Sequence, residues 1–127
     1  MKKVLYLGIV LMLASCGSST LNVDGREVST IKIGNLEVMT EDLEGEMEWD
    51  DAMKACADLG DGWRLPTKDE LNTLYQNKDK IGGFANSVFW SSTEYSTTRA
   101  YSFYFFNGYA PNCYKFTTRS VRAVRAF

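Results

Sequence analysis

Histidine is absent from all 127 residues. The commonest general base and the commonest metal ligand are therefore missing together. Only three cysteines are present, too few for a disulfide-dense scaffold or for a zinc site built from four of them. There is no excess of positive charge to point to nucleic acid, since the formal net charge is −2. No apolar run approaches the roughly 20 residues that a membrane-spanning helix needs. What is left has the makeup of a folded chain, with 45% apolar and 24% charged residues. Its length suits one domain and not two.

The charge is unevenly placed. Residues 17–85 hold 15 acids against 7 bases, whereas residues 86–127 hold 5 bases and a single acid, Glu94. Of 17 aromatic residues, 11 fall between Phe89 and Phe116. The C-terminal third is chemically a different surface from the rest.

The N-terminus reads as an address. Met1-Lys2-Lys3 is a basic start, and Val4–Leu13 is an apolar run of ten residues interrupted by Tyr6 and Gly8. This is the length of a signal-peptide core. It ends in Leu13-Ala14-Ser15-Cys16, which resembles the lipobox of bacterial lipoproteins. The resemblance implies removal of residues 1–15, acylation of Cys16 and anchoring in the cell envelope. Gly17 follows the Cys; no Asp stands there to hold the protein at an inner membrane, so outer-membrane display is expected. Residues 16–26, with Ser18-Ser19-Thr20, read as the lipidated Cys and a polar tether. The domain proper is expected over 27–127.

Within it, Glu27–Ile33 and Leu36–Met39 alternate around Gly34-Asn35, a hairpin pattern. Trp49, Ala52, Met53, Cys56 and Leu59 form one apolar stripe at helical spacing, and Gly60 and Gly62 end that helix. Thr67-Lys68-Asp69-Glu70 is a capping box opening a second helix, with Leu71, Leu74 and Tyr75 on its apolar face. From Val88 the period changes to that of strands. In Ala100–Phe106, Tyr101, Phe103 and Phe105 share one face, and Ser102, Tyr104 and Phe106 the other. Asn107-Gly108 predicts a two-residue hairpin turn. Tyr109–Phe116 returns, with Pro111 forcing an edge or a break, and Ser120–Phe127 closes the chain as a strand.

Trp63-Arg64-Leu65-Pro66-Thr67, followed by Phe89-Trp90-Ser91-Ser92-Thr93-Glu94 and closed by Val121-Arg122-Ala123-Val124-Arg125, resembles a known bacterial family. It is the small C-type-lectin-like domain found at the C-terminus of a collagen-like adhesin, related more distantly to formylglycine-generating enzymes. The resemblance covers roughly residues 30–127. It implies an α+β, C-type-lectin-like fold: two helices packed on a twisted, mostly antiparallel sheet, with the chain ends close together.

One subset of this family is the variable proteins of diversity-generating retroelements, whose C-terminal region is rewritten by mutagenesis at adenines. Random change at the adenines of an AAY codon never yields Lys, Glu, Gln, Trp or Met. These types supply 24 of the first 95 residues, yet Ser96–Arg119 holds only Lys115 where that rate predicts roughly six. Strand propensity alone favours Tyr, Phe, Thr and Ser, but does not account for Pro111-Asn112-Cys113. The resemblance thus implies a variable, ligand-binding region at about 90–127. Its expected contact residues are Ser96, Thr98, Arg99, Tyr101, Ser102, Tyr104, Phe106, Tyr109, Pro111, Asn112, Cys113, Tyr114, Phe116 and Thr117. Tyr101 is expected to be exposed near the strand end, and Phe103 and Phe105 to pack on the two helices.

No catalytic, metal or cofactor role is expected. Formylglycine-generating relatives need a reactive Cys pair in their C-terminal part, and only Cys113 lies there. Cys56 reads as a core residue; a Cys56–Cys113 disulfide is possible in an exported protein, but nothing favours it. Calcium needs six to eight oxygen ligands including carboxylates, and the C-terminal region offers one acid. Arg64, Arg122 and Arg125 read as internal partners of Glu70 or Glu94. The acid-rich run Glu41–Asp51 reads as a solvated loop and helix start. The expected partners are a protein or cell-surface ligand and the membrane, through the lipid, with no nucleic acid. The alternative is a structural or adhesive surface lipoprotein of the same fold without programmed variation.

Overall fold

The structure, a computed structural model, describes residues 18–23 and 25–126. The signal region and Cys16 lie outside the described residues. β1 (Ser18–Val23) runs antiparallel to β2 (Arg26–Ile33), which turns through Gly34-Asn35 into β3 (Leu36–Met39). This hairpin forms as the alternation predicts, with Ile33 opposite Leu36. Ser18-Ser19-Thr20 departs from the tether reading, because the three residues pair with Ile31, Thr30 and Ser29. The pairing is held in place by Leu21 and Val23, which pack on the core. The closing strand is shorter than expected, β7 (Val124–Ala126), and lies beside β3 to give the order β1-β2-β3-β7. The first strand starts and the last strand ends at the same end of this sheet.

α1 (Trp49–Ala57) buries Trp49, Ala52 and Cys56. Met53 belongs to the predicted stripe but is exposed, since the buried stripe is narrower than the apolar pattern. α2 (Lys68–Gln76) begins with the predicted capping box: Thr67 Oγ1 accepts from the Glu70 amide, and Glu70 Oε1 accepts from the Thr67 amide. A third, four-residue helix, α3 (Lys78–Ile81), follows and buries Ile81. No helix among the described residues is long and apolar enough to cross a membrane.

The second sheet has the order β4-β5-β6, with β4 (Val88–Glu94), β5 (Arg99–Tyr104) and β6 (Asn112–Tyr114), so that β6 is an edge. All ladders in both sheets are antiparallel; a single parallel bridge joins Phe89 to Ser120. The β5–β6 connection differs from the two-residue turn predicted at Asn107-Gly108. Tyr104 N donates to Tyr109 O, and Gly108 N donates to Tyr104 O, which leaves Phe105–Gly108 as a four-residue loop. Gly108 closes it at φ 80°, a left-handed conformation that favours glycine. Phe105 sets the longer loop. Its ring is buried against Tyr75, Phe84 and Phe89, and that burial outweighs the local preference for the short turn.

The second sheet is packed on both faces. Trp90 and Ala100 face the core that holds α1, while Phe89, Phe103 and Phe105 face the core that holds α2 and α3. Of the two helices named from sequence, Phe103 and Phe105 therefore pack on α2 but not on α1, and the short α3 takes the second place.

The three arginines pair with acids of the fold as read, Arg64 with the expected Glu70 and the other two with different acids. Arg64 grips Glu70 through two hydrogen bonds of 2.7 and 3.0 Å. Arg122 pairs with Asp42, and Arg125 with Glu37; Glu94 pairs with Lys115 instead. Of the acid-rich run, Asp42 is thus bound inside the fold, and the other six acids are exposed. The hydrogen bonds from Arg64, with those from the Thr67 amide, hold the Glu70 carboxyl below its usual range. A carboxyl lowered on folding stabilises above its ordinary value, and the contribution is lost as pH falls through the lower folded value. Glu70→Gln keeps an acceptor for Thr67 N but loses the ion pair. It should cost about 1 kcal/mol near neutral pH, and the gap to the unmodified chain should close on acidification below about 4.5. Urea titrations at several pH values check this.

Candidate functional site

Alternation along β5 and the β5–β6 register sort the predicted contact residues. Arg99 lies opposite Tyr114, and Tyr101 opposite Asn112, so these four share one sheet face. Arg99 Nη1 donates to Asn112 Oδ1 at 3.1 Å and Nη2 to the Tyr114 hydroxyl at 2.7 Å. Its guanidinium carbon lies 4.2 Å from the Tyr114 ring centre. Tyr114 in turn stacks on Phe116 at 5.2 Å with the planes 8° apart.

Tyr101 is half-buried, where greater exposure was expected. Lys68 at the start of α2 places Nζ 4.1 Å from its ring centre, and Tyr95 meets it edge-on at 5.7 Å. Sequence reading missed Lys68 and Tyr95. Lys68 lies in the capping box and reads as helix start alone. Tyr95 stands one residue outside the window depleted in Lys, Glu, Gln, Trp and Met.

A second aromatic group sits at the loop end of the β5–β6 hairpin. Tyr104 stacks on Phe106 at 4.9 Å and meets Tyr109 at 5.7 Å. Tyr104 and Tyr109 lie on the sheet face opposite Arg99 and Tyr101. The single exposed set expected across the turn is therefore two groups.

Ser102 leaves that set altogether. It is fully buried, and its hydroxyl lies within hydrogen-bonding distance of Pro111 O and Cys113 Sγ. It sits beside Trp90 in the ladder, on the side facing the α1 core. Cys113 lies opposite Ala100 and packs partly on that core; it is half-buried and not an open contact residue. Pro111 is half-buried and gives its carbonyl to Ser102 N. Ser96 and Thr98 are exposed in the loop between β4 and β5, where Ser96 Oγ accepts from the Thr98 and Arg99 amides. Thr117 is half-buried after β6, its amide bonded to Tyr114 O.

The two cysteines among the described residues, Cys56 and Cys113, are both free. Burial pushes the Cys56 thiol up to about 12, far from a nucleophile's range. Among the described residues no three metal-ligating side chains gather.

Residues 25–125 match the Lcl C-terminal domain. The chain belongs to that family. The Lcl C-terminal domain of this chain has the C-type-lectin-like fold. It is similar to the crystal structure of botrocetin, with TM-score 0.60 and 11% identity over 77% of this chain and 96% of that one. A complex of botrocetin with a mutant (I546V) von Willebrand factor A1 domain matches with TM-score 0.56, 12% identity and the same coverage. No curated protein matches the chain.

Proposed function

We propose that this Lcl C-terminal domain is a lipid-anchored, surface-displayed binding module whose diversified C-terminal face takes a protein or cell-surface ligand, without catalysis. One observation carries the reading. Among the described residues, the exposed large apolar side chains are Met53, Tyr95, Phe106, Tyr109, Tyr114 and Phe116, and all but Met53 fall in one short stretch. Clustered exposed aromatics mark interaction sites and not routine surface. Tyr, Ser and Asn together resemble a paratope, with rigid anchors beside adaptable hydrogen-bonding groups. Botrocetin, of the same fold, occurs in complex with a protein domain, so this fold can serve a protein partner.

The composition of Ser96–Arg119 supports diversification. The test is the neighbouring DNA and the sister copies of the gene. A near-identical repeat differing mainly at adenines, beside a reverse transcriptase, is expected. Copies should differ chiefly within 96–119, sparing buried Ala100, Phe103 and Phe105. Variation spread evenly along the chain would leave the alternative, a fixed structural or adhesive lipoprotein.

If the exposed rings serve binding, the fold does not need them. Phe116→Ala and Tyr109→Ala, at 69% and 61% exposure, should each shift the melting temperature by less than about 4 °C. A larger loss in a thermal melt would make them structural. The anchor is tested separately: mass spectrometry of the membrane fraction should show acyl mass on an N-terminal Cys16 peptide. Recovery of Cys16 soluble and unmodified would remove it.

A further inference from the structure

The two aromatic groups differ in charge. At the hairpin end, Tyr104 contacts both Phe106 and Tyr109. The other face carries two cations, Lys68 over Tyr101 and Arg99 over Tyr114. Among the described residues, no carboxylate forms an ion pair with either; the ion pairs there use other cations. Glu94, the single acid of the C-terminal region, is taken by Lys115.

The rings themselves are already engaged. Tyr101 is met by Lys68 and Tyr95, and Tyr114 by Arg99 and Phe116. A nucleobase or sugar ring would have to displace these partners in order to stack. A carboxylate would not, because the Lys68 ammonium can reach it from above the ring and the Arg99 guanidinium, with one N–H of each Nη spent on Asn112 and Tyr114, still has donors to offer.

We propose that this face docks an acidic segment of a partner protein, its carboxylates bound by Lys68 and Arg99 and its apolar side chains lying on exposed Tyr95 and Phe116. The proposal deepens the binding reading above and rests on it. Lys68 lies outside the window 96–119, so one of the two cations stays fixed while Arg99 belongs to the diversified set.

The test uses the full chain in non-ionic detergent, with a random Glu–Tyr copolymer as probe and a Lys–Tyr copolymer and heparin as comparisons. The Glu–Tyr copolymer should bind saturably and the Lys–Tyr copolymer should not. Lys68→Gln and Arg99→Gln should each weaken binding about tenfold, and Arg99→Lys should retain most of it. Binding should weaken as salt rises from about 50 to about 500 mM. Lys78→Gln removes a cation at the start of α3 that sits over Tyr75, past the C-terminal end of α2, and should change nothing. Thermal melts check that each variant folds.

Three results would overturn the proposal: equal loss from Lys78→Gln, no loss from either face variant, or heparin bound through Lys68 and Arg99 in place of the copolymer. A negative result alongside variation concentrated in 96–119 would defeat this proposal alone. Evenly spread variation would defeat diversification and leave a positive copolymer result standing.

Discussion

Arg122→Met should destabilise the domain by about 3–5 kcal/mol, enough to unfold a marginal small protein. The Arg122 side chain is 0% exposed. Its Nε donates to Asp42 Oδ1 at 2.9 Å, and its Nη atoms reach the carbonyls of Met39, Gly82 and Gly83 at 2.9, 3.4 and 2.9 Å. The guanidinium also lies 3.9 Å from the Phe84 ring centre. Burial pushes Arg122 down and Asp42 up, each against the pull of its partner, so for both groups the loss of water outweighs the attraction between them. Such a pair adds little net stability, but removing one member leaves the rest unsatisfied.

Asp42→Asn should cost less, because the three carbonyls keep their donors. Combining Arg122→Met with Asp42→Leu should recover little, because those carbonyls then have none. A Cβ at Gly83 would clash with Thr40 O, so glycine is what lets the chain pass this close to Thr40 while giving its carbonyl to Arg122. Urea midpoints at unchanged slope measure all three variants.

Trp63→Ala should cost a comparable 3–5 kcal/mol, roughly. Trp63, in the segment that joins the two longer helices, is buried in the α1 core, with the Arg125 guanidinium 4.9 Å from its ring centre. Truncation opens a cavity that Val28, Leu65 and their neighbours cannot fill without moving. The same position offers an internal control. The buried indole N–H of Trp63 has no acceptor among the described residues, whereas Trp49 donates to Ser91 O and Trp90 to Met47 O, each at 2.8 Å. Trp63→Phe thus loses volume without a hydrogen bond, and should be milder than Trp63→Ala by at least 1 kcal/mol, roughly. If both variants fold with native stability, Trp63 is not a core residue.

Features closed within a few residues were legible in the sequence. The capping box at Thr67 needs only Glu70, and the Gly34-Asn35 hairpin only its own alternation, and both form as written. Features decided by distant packing were not. The β5–β6 loop turns on where Phe105 finds Tyr75 and Phe84, and nothing local reports that. Ser102 is polar yet faces a core built partly by α1. The acid partners of Arg122 and Arg125 lie 80 and 88 residues upstream, beyond any spacing argument. Charge asymmetry and aromatic clustering pointed to the C-terminal third, where most of the exposed aromatics lie. Their division into two groups required the register.

The early start of β1 has a consequence for reach. One residue, Gly17, separates Cys16 from Ser18, where the first strand begins. Two Cα spacings carry a chain only about 7 Å. A lipid on Cys16 would seat the domain on the headgroups with no stalk. With a radius of gyration near 13 Å for about 100 residues, its whole working surface would stand within roughly 30 Å of the bilayer. Partners would then be met only at close approach to the membrane, at a height fixed by the fold and not by a linker.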